Sequence, residues 1–327
     1  MGTRLRPLTA LRHKSLVPVM NRPAIEYLFD WLERNGIASA VLALGQANED
    51  LAATYPAGRR GALEIVPVIE RERLESGGAI RHAVQSAAID GPFVVLNGDV
   101  YVDFDLSKAV RAHQSSGSDL TLALHAEPDP SAFGVAVVDD EGLVVGFVEK
   151  PLPGEAPSNL VNAGVWLFEP GLVDEIPPGA VRVEETLFPS LVARGRRVLG
   201  YQFEGPWADL GTPARYLALN EQLLHERNAL AAGCTVAEHA MVAGCSCAKG
   251  VVIGENARVS HSILWEEVRV GDGAVVEHSV LADGVEIGAG ARVFDAVVGS
   301  GAVIAPGCEV PRGASIESGA RYDGSHG

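Results

Sequence analysis

Apolar positions in the last third of the chain recur every 17 residues. Val236, Ile253, Val270, Ile287 and Ile304 lie on that period, each followed by a small residue: Ala237, Gly254, Gly271, Gly288 and Ala305. Four places into each unit stand Ala240, Ala257, Ala274, Ala291 and Cys308, and six places in stand Val242, Val259, Val276, Val293 and Val310. An aliphatic side chain about every six residues, with a small one beside it, suits a three-sided coil of short parallel strands in which each turn stacks on the last. The pattern predicts about five such coils over 233–320.

Residues 1–228 follow a different rhythm. Ile25, Leu28, Phe29 and Leu32 mark one face of a helix that Gly36 ends. Apolar runs at 41–44, 63–69, 93–96, 120–124, 143–148 and 161–168 predict strands, and 78–88, 106–113, 184–193 and 213–226 predict helices. Alternation of the two predicts an α/β layer fold, with a Rossmann-like, mostly parallel sheet and helices on both faces. The polar stretch His225-Glu226-Arg227-Asn228 and the small residues at 229–233 mark the boundary between a first domain, 1–228, and a second, 233–320. The second resembles the hexapeptide-repeat left-handed β-helix, a stacking module that implies a homo-oligomer held through it.

Composition narrows the partners. The chain has 327 residues, 47% of them hydrophobic, which is enough to bury the cores of two domains. Lys and Arg total 26 against 42 Asp and Glu, and the net charge of −16 argues against nucleic acid or an anionic membrane as partner. No window approaches the roughly 20 apolar residues of a membrane span, and the N-terminus lacks a signal-peptide core, so a cytoplasmic location is expected. Cys234, Cys245, Cys247 and Cys308 show neither CxxC nor disulfide-scaffold spacing and read as small buried hydrophobes. An anionic small substrate would need a local basic cluster.

Such a cluster opens the chain. Gly2-Thr3-Arg4-Leu5-Arg6-Pro7-Leu8-Thr9 sets a glycine, which lets backbone amides approach a phosphate, beside arginines that supply forked donors. Lys14 follows within His13-Lys14-Ser15-Leu16-Val17-Pro18-Val19. This pair of segments resembles the signature of the sugar-nucleotide pyrophosphorylases, G-G-x-G-T-R-L-R-P-L-T followed by P-K-P-L-V-P-V. The likeness continues in that family's order through Leu96-Asn97-Gly98-Asp99, Phe133-Gly134-Val135, Val148-Glu149-Lys150-Pro151, Asn162-Ala163-Gly164, Val183-Glu184-Glu185 and Trp207-Ala208-Asp209-Leu210-Gly211-Thr212-Pro213.

The resemblance implies transfer of a nucleotidyl group from a nucleoside triphosphate to a sugar 1-phosphate with release of pyrophosphate. It implies Arg4 and Lys14 as catalytic groups on the triphosphate, and Gly2, Thr3, Ser76, Gly78 and Gly98 around the nucleotide. Gly134, Glu149, Lys150 and Asn162 would take the sugar phosphate, with Lys150 on the phosphate and Glu149 accepting sugar hydroxyls. Asp99 and Asp209 follow apolar runs, where ligands gather at strand ends, and two carboxylates there can hold one Mg²⁺. No covalent nucleophile is required, because a phosphate dianion attacks on its own.

Three departures from the family pattern stand out. The chain lacks the buried strand that precedes the G-T-R-L-R-P loop in relatives, so an N-terminal strand is expected to be missing and about ten upstream residues to restore activity. Glu75 stands in Leu74-Glu75-Ser76-Gly77-Gly78 where relatives carry glycine, near the base-binding region. His13 and Ser15 replace prolines beside Lys14, which predicts a looser loop. GTP with mannose 1-phosphate is the first-ranked pair, ahead of thymidylyl or uridylyl transfer to glucose 1-phosphate. A non-catalytic regulatory relative is the competing reading, and an acyltransferase site at the paired His261 and His278 is discounted.

Overall fold

A computed structural model describes residues 3–45 and 48–324 and divides into two compact units, 27–207 and 1–26 with 208–327. The helix Ala24–Arg34 carries the expected face, with Ile25, Leu28, Phe29 and Leu32 all buried, and Gly36 adopts φ +76 just past its end. A left-handed backbone costs glycine nothing, so the chain can turn there.

Within 27–207 the main sheet runs in the order Val144–Glu149, Gly134–Val138, Leu160–Phe168, Leu120–Ala126, Val198–Gln202, and Phe93–Leu96 also pairs with Leu160–Phe168. Of these pairings only Val198–Gln202 with Leu120–Ala126 is parallel. A second sheet pairs Ser39–Leu44 in parallel with Leu63–Ile69 and edges it with antiparallel Gly58–Arg60. The fold class is α/β as expected, but the sheet is mixed and not mostly parallel. Connection length explains the correction: the turn at 139–143 is held by Asp139 Oδ1, which accepts from the amides of Glu141 and Leu143, and so short a link can only reverse the chain. The parallel partner Val198–Gln202 is separated from Leu120–Ala126 by the whole of 127–197, which gives the chain room to return in the same direction.

Leu160–Phe168 is the spine of this unit, buried from Ala163 to Phe168. Its pairing with Leu120–Ala126 slips between Asn162 and Trp166, where Gly164 takes φ +73. A side chain at 164 would collide with Asn97, 2.7 Å from the nearest atom, and Asn97 N–H donates to Gly164 O at 2.8 Å. This bulge therefore seats the Asn97-Gly98-Asp99 turn on the spine.

The C-terminal repeats form a parallel β-solenoid with three faces, of six, six and five strands. It has about six turns against the five expected, starting at Ala229–Leu230 and ending at Arg321–Tyr322. Two causes hid the extra turn. The third face begins at Ala229–Leu230, ahead of the predicted boundary at 233, where Leu230 pairs with Cys247 below Leu264, Leu281 and Val298, and the last step lengthens to 18 residues, pairing Val297 with Ser315. Cys245 and Cys247 lie in this core and Cys234 and Cys308 pack half-buried against it; burial pushes the Cys245 thiol up to about 11.

Candidate active site

Two groups of the residues singled out above can be described, one in each compact unit. In 27–207, Ser76 starts the story. The helix Glu75–Ser86 begins where Gly77 N–H donates to Val181 O, and Gly78 packs so close to Gly179 and Leu74 that a β-carbon on it would clash. Gly78 thus serves the close seating of this helix. Ser76 Oγ donates to Glu184 Oε2 at 2.5 Å and accepts from Val183 N–H at 3.1 Å. Burial raises the Glu184 carboxyl above its ordinary value, Ser76 opposes that rise, and nearby Glu149 adds to it. Glu75, the departure from the family pattern, pairs with Arg73 at 2.7 Å and Arg182 at 3.4 Å.

Glu149 stands opposite Gly134 in the antiparallel register, and its Oε2 lies 2.7 Å from where a β-carbon on residue 134 would be. The carboxylate lies over the glycine, and Oε1 holds Lys150 Nζ at 2.7 Å. Lys150 takes φ +48 as the strand ends, with its amide donating to Phe133 O. Asn162 Oδ1 accepts from the Trp166 indole at 2.7 Å and from Gly164 N–H at 3.1 Å, which fixes its side-chain amide on the bulge. Gly98 and half-buried Asp99 occupy the turn between Phe93–Leu96 and Val100–Val102. Trp207 donates from its indole to Ala163 O at 2.9 Å and is a buried core residue. A separate concavity of about 490 Å³ is lined by Tyr27, Asp30, Glu33, Arg34, Tyr101 and Val102, none of them a residue the sequence singled out.

The second group belongs to the other unit. Gly2 lies outside the described residues. Thr3 opens the short 3₁₀ turn Thr3–Leu5, which leaves Arg4 exposed while Leu5 and Leu8 are buried. Arg4 Nη2 comes within 3.1 Å of the point a β-carbon on Gly211 would occupy. Asp209 Oδ1 accepts from Gly211 N–H and from Arg215 Nη1, each at 3.0 Å. The helix Pro213–Leu224 holds Arg215 there, capped at its start by Thr212, whose hydroxyl accepts from Arg215 N–H. Lys14 begins the 3₁₀ turn Lys14–Leu16, and here the looser loop expected from His13 and Ser15 is not found: His13 Nδ1 accepts from Ser15 N–H at 3.2 Å, and Ser15 is buried. A ring acceptor does the capping that proline stiffness would otherwise replace.

Asp99 and Asp209 fall in different compact units, and no group of three metal-ligating side chains occurs among the described residues. His261 and His278 sit at half-exposed solenoid corners with φ +47 and +45, their rings stacked 4.9 Å apart and the His278 Nδ1 3.2 Å from Glu221 Oε1.

Residues 1–226 match the family model for nucleotidyl transferase, and 223–322 match that for the GlmU-like C-terminal hexapeptide. The chain belongs to the nucleotidyl transferase family. Among relatives, the mannose-1-phosphate guanylyltransferase of Mycobacterium tuberculosis is 35% identical over 218 residues, covering 66% of this chain and 60% of its own. The UTP–glucose-1-phosphate uridylyltransferase of Synechocystis is 31% identical over 229 residues, covering 66% and 59%. A putative mannose-1-phosphate guanyltransferase of Sulfolobus acidocaldarius is 31% identical over 224 residues, covering 68% and 60%. The match thus spans about 60% of the length of these curated relatives.

Sequence reasoning named the Val183-Glu184-Glu185 motif without giving Glu184 a role, and it passed over Arg215. Ser76 in a first helical turn facing an acidic motif was the available signal for the first. For the second it was an arginine three residues past a Thr cap. No helix among the described residues is long and apolar enough to cross a membrane.

Proposed function

We propose that this nucleotidyl transferase joins a nucleoside triphosphate to a sugar 1-phosphate and releases pyrophosphate. The Glu149–Lys150 pair seated over Gly134 carries the reading: it presents an ammonium group, held at 2.7 Å by a carboxylate, at a strand end. An ammonium there offsets the charge of a sugar phosphate, and the carboxylate accepts from sugar hydroxyls, with Asn162 beside them. The sugar phosphate oxygen attacks the α-phosphorus in line, one P–O bond forms, and the bond to pyrophosphate breaks. Arg4 and Lys14 stabilise the departing charge, while Gly2, Thr3, Ser76, Gly78 and Gly98 line the nucleotide's path.

Asp99 and Asp209 would each offer Mg²⁺ a hard oxygen donor, as the family resemblance implies, and the Gly211 amide and Arg215 hold the Asp209 carboxylate in place. When bound, the ion would supply charge neutralisation at the α-phosphate. GTP with mannose 1-phosphate ranks first because several similar proteins bear that activity in their names, and UTP or dTTP with glucose 1-phosphate ranks second. A cytoplasmic homo-oligomer joined through the solenoid belongs to the same reading. A pyrophosphate-release screen of the four common NTPs and dTTP against glucose, mannose, galactose and N-acetylglucosamine 1-phosphates tests it. Release from one pair supports the proposal; none from any pair sinks it.

A further inference from the structure

The solenoid column that faces the first 26 residues has one irregular member. Ala231, Ala248, Trp265, Ala282 and Gly299 occupy equivalent places, each donating its amide to the next turn. Small residues leave room for the N-terminal segment: a β-carbon on Gly299 would lie 3.0 Å from Pro7. Trp265 fills its place with an indole that is fully buried. Its Nε1 donates to Tyr216 Oη at 3.0 Å, and the Tyr216 hydroxyl donates to Pro18 O. Two bonds of the same polarity in a dry setting reinforce one another.

On the other side of Lys14, the Arg12 guanidinium lies 4.9 Å over the Trp265 ring and donates to Asp283 Oδ2 at 2.9 Å, in the following turn. Asp283 Oδ1 is buried without a hydrogen-bond partner among the described residues, so Arg12 is the cation that offsets this carboxylate. A third tie comes from Asn21, whose Nδ2 donates to Ala229 O and Cys247 O while its Oδ1 accepts from Ser246. Lys14 is therefore bracketed, two residues before and four after, by anchors that reach the same tryptophan.

We propose that Trp265, with Tyr216 and Asp283, is a positioning residue for the Lys14 loop, so that the solenoid sets the geometry of the triphosphate-binding segment. The proposal deepens the transferase reading and rests on its assignment of Lys14. A residue that only holds the solenoid together would affect both substrates alike. A positioning residue affects the nucleotide first, because the ties at Arg12, Pro18 and Asn21 hold the segment of Lys14, the group assigned to the triphosphate.

The test uses the full chain with Trp265→Phe, which keeps an aromatic ring and removes the donor, and Asp283→Asn, which leaves the indole bonds in place. Hydrogen exchange of the Leu16 and Val17 amides, read without substrate, is expected to quicken about tenfold in both variants, the scale of one lost buried hydrogen bond. KM for the NTP should rise by a similar factor while KM for the sugar 1-phosphate stays within about twofold. Native-like exchange at Leu16 and Val17 in both variants overturns the proposal, as does faster exchange spread evenly over the solenoid strands. A native chain that turns over no substrate pair overturns the transferase reading instead, and the exchange result still decides the anchoring.

Discussion

Gly134 and Glu149 face each other across an antiparallel strand pair, and the glutamate carboxylate fills the space a side chain on residue 134 would need. An alanine there would meet Phe147 Cζ at 2.6 Å and Glu149 Oε2 at 2.7 Å. Gly134→Ala should therefore push Glu149 aside, costing about 1–3 kcal/mol of stability and raising KM for the sugar 1-phosphate roughly tenfold. Melting curves and initial rates check both. An unchanged KM would show that Glu149 does not contact the sugar.

Lys150 is exposed and, among the described residues, pairs only with its neighbour Glu149, so its removal leaves the fold alone. Lys150→Met should cut turnover by about 10²-fold, the usual effect of losing one preorganised cationic or hydrogen-bonding group, with an unchanged melting temperature. Turnover within about twofold of native would remove Lys150 from the phosphate site.

Asp209→Asn keeps the shape and the carbonyl acceptor for Gly211 N–H and Arg215, and loses the charge. The expected result is folded protein with turnover lowered at least 10²-fold at every Mg²⁺ concentration. Full activity with an ordinary Mg²⁺ dependence would discard Asp209 as a ligand.

Burial, only partly opposed by Ser76, holds the Glu184 carboxyl above its ordinary 4.5. A raised carboxyl favours the fold while protonated in both states, and that contribution is lost as pH climbs from the unfolded value through the folded one. Glu184→Gln has no charge to bury, so its stability relative to native should improve as pH rises above the ordinary carboxyl value of 4.5. Denaturant midpoints across that range give the slope; a flat or opposite trend would falsify burial as the cause.

Ile287 is 2% exposed and stacks between Val270 and Ile304 in the solenoid core. Ile287→Ala should cost about 2–5 kcal/mol, the range for such cavities, and calorimetry measures it.

Much of this was legible along the chain. The strands at 63–69 and 93–96 and the helix ending at Gly36 follow directly from apolar spacing and a left-handed glycine. Gly134–Val138 was missed because its run Gly-Val-Ala-Val-Val holds a glycine and an alanine, residues depleted in strands, among its valines. Val198–Gln202 was missed too, and with it the mixed pairing, since strand direction depends on partners distant in sequence. The solenoid's period was plain, but its sixth turn lay beyond a one-residue insertion that defeats a fixed count. In the site, residue types could be listed from motifs, whereas the cap that His13 gives Ser15 and the hold of Arg215 on Asp209 are matters of side-chain direction. Nothing in the spacing of Trp265 predicted that it would meet residues at the other end of the chain.

That last meeting has a consequence for how the protein is made. Arg12 and Asp283 are 271 residues apart, and Asn21 is 226 from Cys247. Residues 12–21 are thus made long before their partners and are among the last to find their place, since their floor is translated only after the whole of 27–207 and the early coils. Until then this segment has no solenoid to dock on, and a nascent chain can already have its central sheet while residues 12–21 still wait for theirs.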